Sequence, residues 1–129
     1  MSTRATYKID FTTFYIHHDG YPEGAAEYFA AALDPSNRVE DRAPNASLAD
    51  DFIRANSRAE LTESHQTHGD TEYRYTVRTT QPNGDRLDNP TIVAQKRVGW
   101  GDDTDWKTFF NATLDEFVTK YNQPTNGLA

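Results

Sequence analysis

The sequence has no cysteine, so neither disulfide bonds nor thiol chemistry contributes to its fold or function. It has no apolar run near the roughly 18 residues that a membrane-spanning helix needs, and residues 1–8 lack the apolar core of a signal peptide. Positive charge is scarce, because 13 Lys and Arg against 20 Asp and Glu give a net charge of −7. Binding to phosphates requires basic residues, so these absences predict a cytoplasmic protein without a direct nucleic-acid or membrane partner.

The chain is of the right size for one domain, and aromatic residues are its main supply of core material. Its 129 residues predict a single domain over residues 1–122, followed by a loose C-terminal tail over residues 123–129. Seven Phe, seven Tyr and two Trp compensate for few aliphatic residues, since each large ring buries roughly 150–250 Å².

The first half of the chain predicts strands followed by two helices. Apolar and polar residues alternate over residues 5–18, including Phe11, which predicts two strands or one bent strand. Pro22 suits the first turn of a helix over about residues 22–33, which ends before Pro35. A second, short helix follows a polar loop, with Ser47 and Asp50 as a capping pair. Residues 56–71 show no clear pattern.

The second half predicts a hairpin and a long final helix. Residues 73–78 and 91–98 alternate as strands, with a turn signal at residues 82–85 between them. Apolar residues then recur at helical spacing after a cap at Asp103 or Thr104: Trp106, Phe109, Phe110, Thr113, Leu114, Phe117, Val118 and Tyr121. This order of elements favours an α+β fold, with an antiparallel sheet of three to four strands and helices packed on one face.

The densest group of chemically capable residues is His17-His18-Asp19-Gly20-Tyr21-Pro22-Glu23-Gly24, where a strand leads into a helix. A strand ending in His-x-Asp-Gly-Tyr-Pro, followed by a helix of small and aromatic residues, resembles a group of small uncharacterised phage and prophage proteins over residues 13–33. This chain has His18 where an aromatic residue is expected. The resemblance implies a gene from a phage or another mobile element. By association with anti-CRISPR proteins, it implies a protein that binds and blocks a host factor, such as a defence or CRISPR component.

The same motif has a catalytic and a structural interpretation. His17 or His18 beside Asp19 would suit an acid–base pair, because histidine titrates near neutrality. No nucleophile in a recognisable setting and no Gly-rich phosphate loop accompanies them. Turn chemistry explains the motif more simply, with Asp19 capping the helix and Gly20 forming the turn. We therefore favour the structural interpretation, with no catalytic residues.

The histidines also suggest an alternative metal site. All four fall in two clusters, which are His17 and His18 beside Asp19, and His65 and His68 near Asp70. If the two clusters meet, they could hold zinc or another divalent metal and form a small metal-dependent hydrolase. The simpler expectation is that these are surface histidines, with no cofactor bound.

Two acidic groups and one tryptophan are the predicted partner-binding residues: Asp50, Asp51, Trp100, Asp102, Asp103 and Asp105. They would contact a basic surface on a host protein. Carboxylates at helix starts have a simpler explanation, since they interact favourably with the helix dipole by about 0.3–1 kcal/mol each. A further alternative is a protein that sequesters a small ligand or nucleotide, with the turn at residues 19–24 forming part of the pocket.

Overall fold

A computed structural model describes residues 3–34, 48–56, 58–65, 71–81, 86–99 and 105–122. Within these ranges the elements are β1 Ala5–Ile9, β2 Thr12–Ile16, α1 Pro22–Leu33, α2 Leu48–Ala55, β3 Glu60–Thr62, β4 Tyr73–Thr80, β5 Arg86–Val98, β6 Asp105–Thr113 and α3 Leu114–Tyr121. The fold is α+β, and helix α1 has the predicted bounds. The expected tail at residues 123–129, the turn at 82–85 and the cap at Ser47 lie outside the described residues.

The strands form one six-stranded mixed sheet in the order β3-β2-β1-β4-β5-β6. The sequence predicts three to four antiparallel strands, which is too few and misses a parallel pair at the centre. Strand β1 pairs with β4 in parallel, with Ala5 opposite Tyr73, while the other neighbours are antiparallel. Parallel neighbours need a long crossover connection, and helices α1 and α2 lie within the chain that connects β2 to β4.

The core lies between one face of the sheet and the three helices. Alternate strand residues such as Tyr7 and Tyr75 are completely buried, and their rings stack with centroids 5.2 Å apart. Phe29 of α1, Phe52 of α2 and Phe117 of α3 cover this face, all at 0% exposure. Burying each such ring stabilises the fold by roughly 1.5–3 kcal/mol. The prediction of helices on one face is therefore confirmed for the described part of the chain.

The predicted long final helix is wrong, because its first half is strand β6. The register of β5 and β6 shifts between Ala94 and Gln95, which pair with Phe110 and Thr108. Phe109 is thus the extra residue of a bulge, and two adjacent rings reach the helix side, where both contact Tyr121. A bulge interrupts the alternation of a strand, so the aromatic spacing resembles that of a helix.

Candidate functional site

The segment between β2 and α1 depends on two glycines that let its backbone pack closely. A Cβ atom on Gly24 would lie 2.0 Å from the carbonyl oxygen of Asp19, and one on Gly20 would lie 2.7 Å from the Cβ of Ala5. The Tyr75 hydroxyl donates a 2.6 Å hydrogen bond to the Gly20 carbonyl. This segment is therefore fixed to the centre of the sheet.

The predicted roles of Asp19 and Gly20 in the turn need correction. The N-cap residue of α1 is Tyr21, and no side chain caps the helix there. Asp19 has a φ of 57°, so Asp19 and not Gly20 adopts the left-handed conformation. The Tyr21 hydroxyl donates a 3.3 Å hydrogen bond to Oδ1 of Asp19. Pro22 occupies the first turn of α1, as predicted. The motif does form a turn, but Asp19 supplies the left-handed residue and Tyr21 the N-cap position.

His17 and His18 lie at the end of strand β2 and contact each other edge to face, with ring centroids 4.8 Å apart. Nε of Arg4 donates a 3.2 Å hydrogen bond to Nδ1 of His17, and the Tyr15 hydroxyl lies 2.9 Å from the same nitrogen. The backbone carbonyl of His18 accepts a hydrogen bond from the Tyr28 hydroxyl. These contacts surround His17 with hydrogen-bonding groups other than Asp19.

His65 lies over the paired strands β1 and β4, on the side of the sheet away from the helices, and its hydrogen bonds go to these strands and not to His17 or His18. Its Nδ1 is 2.6 Å from Oγ1 of Thr6 in β1, and its Nε2 is 3.0 Å from Oγ1 of Thr76 in β4. Burial, assisted by the positive charges of Arg74 and Lys8, lowers the pKa of His65 to about 4. The ring is therefore neutral at physiological pH and links β1 to β4.

The two histidine clusters do not form a metal site within the residues that the structure covers. No group of three or more His, Asp or Glu side chains in those ranges is arranged to hold a metal ion. His68 and Asp70 lie outside them. The hypothesis of a metal site therefore rests on the sequence alone, because the geometry of His17, His18, Asp19 and His65 adds no support to it.

The predicted acidic contact residues have different surroundings. Asp50 is exposed in the first turn of α2, whereas Asp51 beside it is only 3% exposed and is therefore poorly accessible to a partner. Asp105 is exposed at the start of strand β6, where its Oδ1 accepts a hydrogen bond from its neighbour's backbone. Asp105 is thus not at a helix start. Trp100, Asp102 and Asp103 lie outside the described residues.

The sheet face turned away from the helices, here called the open face, carries basic side chains. Lys8 of β1 lies directly opposite Thr76 of β4, and both point away from the buried Tyr7 and Tyr75. Arg74 and Arg78 share this face of β4 by the same alternation. Charge is thus unevenly distributed, with basic residues along the centre of the open face although the whole chain is acidic.

Two arginines of the open face converge on one tryptophan. The guanidinium carbon of Arg74 is 3.9 Å from the centroid of the Trp106 ring, and that of Arg97 is 5.4 Å away. Burial, together with the positive charge of Arg97, lowers the pKa of Arg74. Because both guanidinium groups are positively charged, an anionic group bound beside the Trp106 ring would stabilise this arrangement further.

The most exposed large apolar residue of the described chain is Phe11, which the sequence pattern places in a strand. Phe11 is 97% exposed in the tight turn between β1 and β2, because Ile9 already pairs with Thr12. The preceding residue, Asp10, adopts a φ of 56°. Asp10 is held from three directions: its backbone N–H donates to Val77, and its carboxylate accepts from the backbone N–H and the hydroxyl of Thr79.

A shallow cavity lies beside this turn on the open face. It has a volume of about 420 Å³ and is lined by residues of the turn and of strands β1 and β4: Lys8, Asp10, Phe11, Thr76, Arg78, Thr80 and Gln81. The wall therefore combines an exposed ring with two cations and one carboxylate. Sequence reasoning missed this site because a phenylalanine in an alternating segment predicts a buried side chain.

None of the helices in the described ranges has both the length and the apolar character needed to cross a membrane. Comparisons with protein-family models, with curated proteins and with solved structures find no match to this chain.

Proposed function

We propose that this chain is a non-catalytic binding protein that docks onto a host protein through the open face of its sheet. The observation that carries this proposal is the position of Phe11, a fully exposed aromatic ring on a turn whose neighbour Asp10 is fixed to β4. Aromatic anchors contribute most to many protein–protein interfaces. A ring on a rigid turn loses little conformational freedom on binding, which favours affinity.

The surroundings of Phe11 indicate the chemistry of the partner. Lys8 and Arg78 line the cavity beside the ring, and they complement an acidic side chain next to an apolar pocket on the partner. The sequence instead predicts a basic partner that contacts acidic residues such as Asp50 and Asp105. Charge complementarity around the exposed ring supports a partner whose contact surface is acidic.

A protein partner fits this surface better than nucleic acid does. The net charge of −7 repels a polyanion at long range, whereas a protein can present one acidic group and one apolar pocket. The resemblance to phage and prophage proteins supports a role in blocking a host factor, such as a defence or CRISPR component.

Site-specific crosslinking in host lysate tests the proposal. A photoreactive phenylalanine analogue at position 11 should capture one acidic-surfaced protein, and the same analogue at Leu61 should not. Leu61 is the matched control because it is 69% exposed on edge strand β3. Capture of nuclease-sensitive nucleic acid, or equal capture from both positions, would contradict the proposal.

The captured partner then allows a quantitative comparison. Phe11→Ala should weaken its binding at least about tenfold, as expected for an anchor whose removal costs 2 kcal/mol or so. Leu61→Ala should leave the affinity within about twofold. Asp105→Lys separates the two charge hypotheses, because it should leave binding through Phe11 unchanged but should abolish binding through an acidic surface.

A further inference from the structure

A second cavity lies on the helix side of the sheet, beside the first turn of α1. It has a volume of about 260 Å³ and is lined by residues from four elements: Pro22, Tyr73, Lys96, Val98, Lys107 and Phe109. Typical sites for drug-sized ligands occupy roughly 300–1,000 Å³, so this cavity suits a smaller molecule. It is separate from the open face, because Tyr73 shares the face of the buried Tyr75.

The wall of this cavity is largely aromatic and apolar. The rings of Tyr73 and Phe109 meet edge to face with centroids 6.1 Å apart. Val98 is 51% exposed at its edge, although β-branched apolar residues in strands are usually covered. An open ring surface next to an exposed valine is suited to a planar apolar group.

Two lysines flank this apolar surface. Lys96 of β5 lies directly opposite Lys107 of β6 in the strand register, and the Lys96 ammonium is 5.9 Å from the centroid of the Tyr73 ring. Like charges directly opposite each other destabilise a pair of strands. An anion between the two ammonium groups would remove this repulsion.

The surroundings of Tyr73 disfavour the ionised form of its phenol. Burial, followed by the charges of Glu72 and Glu23, raises the pKa of Tyr73. The phenol therefore stays protonated at physiological pH and is able to donate a hydrogen bond to a ligand.

We propose that this cavity binds a small aromatic anion, with its ring against Tyr73 and Phe109 and its single phosphate or carboxylate between Lys96 and Lys107. A nucleoside monophosphate and an aromatic carboxylate share this chemistry. The site lies on the other side of the sheet from Phe11, so it is independent of the proposed docking function.

Calorimetric titration of the full chain with two probes tests the site. Adenosine monophosphate represents the phosphate class, and indole-3-acetate represents the carboxylate class. At least one should bind with a dissociation constant below 1 mM, and adenosine without its phosphate should bind at least about tenfold more weakly, as expected for loss of a charge-assisted contact. If neither probe binds at millimolar concentration, the proposal is wrong.

Variants locate the bound probe. Lys96→Gln and Lys107→Gln should each weaken binding about tenfold, an effect expected for one lost charge-assisted contact. Each should also raise the melting temperature of the ligand-free protein, because the cross-strand repulsion is removed. Lys8→Gln is the matched control: it removes a strand lysine from the open face, and should leave probe affinity within about twofold. Equal weakening by Lys8→Gln would show non-specific attraction and overturn the site.

Backbone amide chemical shifts provide a readout that does not depend on affinity alone. Addition of the bound probe should shift the signals of Tyr73, Val98 and Phe109 and leave that of Phe11 in place. A failed Phe11 crosslink with intact probe binding would reject only the docking function. Shifts confined to residues remote from the cavity would reject only this ligand site.

Discussion

The guanidinium of Arg74 lies 3.9 Å from the centroid of the Trp106 ring, across three adjacent strands of the open face. Its Nε is buried and has no hydrogen-bond partner within the described chain. The contact with the ring therefore replaces part of the hydration that the cation loses. It also fixes the direction of a positive charge on the proposed docking face.

A double-mutant cycle measures this contact. Arg74→Gln and Trp106→Leu should show a coupling free energy of about 0.5–1 kcal/mol, the usual range for a cation–π pair at a partly exposed site. Urea denaturation of the four proteins gives the value. The cycle of Arg78→Gln with Trp106→Leu is the control, because Arg78 lies about 13 Å further along β4. Equal coupling in both cycles would rule out a direct contact.

The turn that presents Phe11 should depend on both the backbone and the side chain of Asp10. Asp10→Gly keeps the positive φ but removes two hydrogen bonds to Thr79, and should destabilise the protein by about 1–2 kcal/mol. Asp10→Ala should cost about 1 kcal/mol more, since it adds left-handed strain. Urea unfolding of both variants distinguishes the two contributions. Equal stability of the two would show that the backbone conformation is not strained.

At Gly24, helix propensity and packing predict opposite effects of an alanine substitution on the stability of the protein. Gly24 is the third residue of α1, and helix propensity favours alanine over glycine there by up to about 1 kcal/mol, the value for a helix interior. Here a Cβ atom would lie 2.0 Å from the Asp19 carbonyl oxygen, so we expect Gly24→Ala to destabilise the protein by about 2–3 kcal/mol or more. Thermal unfolding measures the change. Ala30→Gly in the same helix is the control, with an expected loss of about 1 kcal/mol. A more stable Gly24→Ala protein would show that this close approach is absent.

The final helix shows which part of the fold local sequence patterns can predict. Residues after Thr113 were predictable as helix, and Thr113 and Glu116 have the spacing of a capping box. In the structure Oγ1 of Thr113 accepts a 3.1 Å hydrogen bond from the backbone N–H of Glu116. The capping-box spacing thus indicates a helix with Thr113 as its N-cap, ten residues after the predicted cap at Asp103. The aromatic spacing before it was misleading because a bulge, which depends on pairing with β5, had replaced strict alternation.

The central parallel pair and the exposed Phe11 were beyond local patterns for a different reason. Residues 5–9 alternate equally well whether β1 pairs with β4 or only with β2. The parallel choice is made by the core, where Tyr7 stacks on Tyr75. Phe11 continues the same alternation, and only the tight pairing of Ile9 with Thr12 moves it into the turn. The glycine-containing motif was visible in the sequence, but its close contacts were not.

His65 should make stability depend on pH below neutrality. Its pKa is about 4 in the folded protein, against roughly 6.5 in an unfolded chain, because burial and the charges of Arg74 and Lys8 disfavour the protonated ring. The unfolded chain therefore binds more protons between these values. The stabilisation is complete above pH 6.5 and is lost as the pH falls from 6.5 to about 4.

The variant His65→Gln isolates this effect, since glutamine keeps hydrogen-bonding capacity towards Thr6 and Thr76 but does not titrate. The free-energy difference between wild type and variant should change by roughly 1–2 kcal/mol from pH 7 to pH 4, after allowance for solvent screening of a partly exposed ring. Urea unfolding at several pH values measures it, and subtracting the variant removes the carboxylate contribution common to both proteins. A pH-independent difference for His65→Gln would mean that the ring is as free to take up a proton in the folded protein as in the unfolded chain.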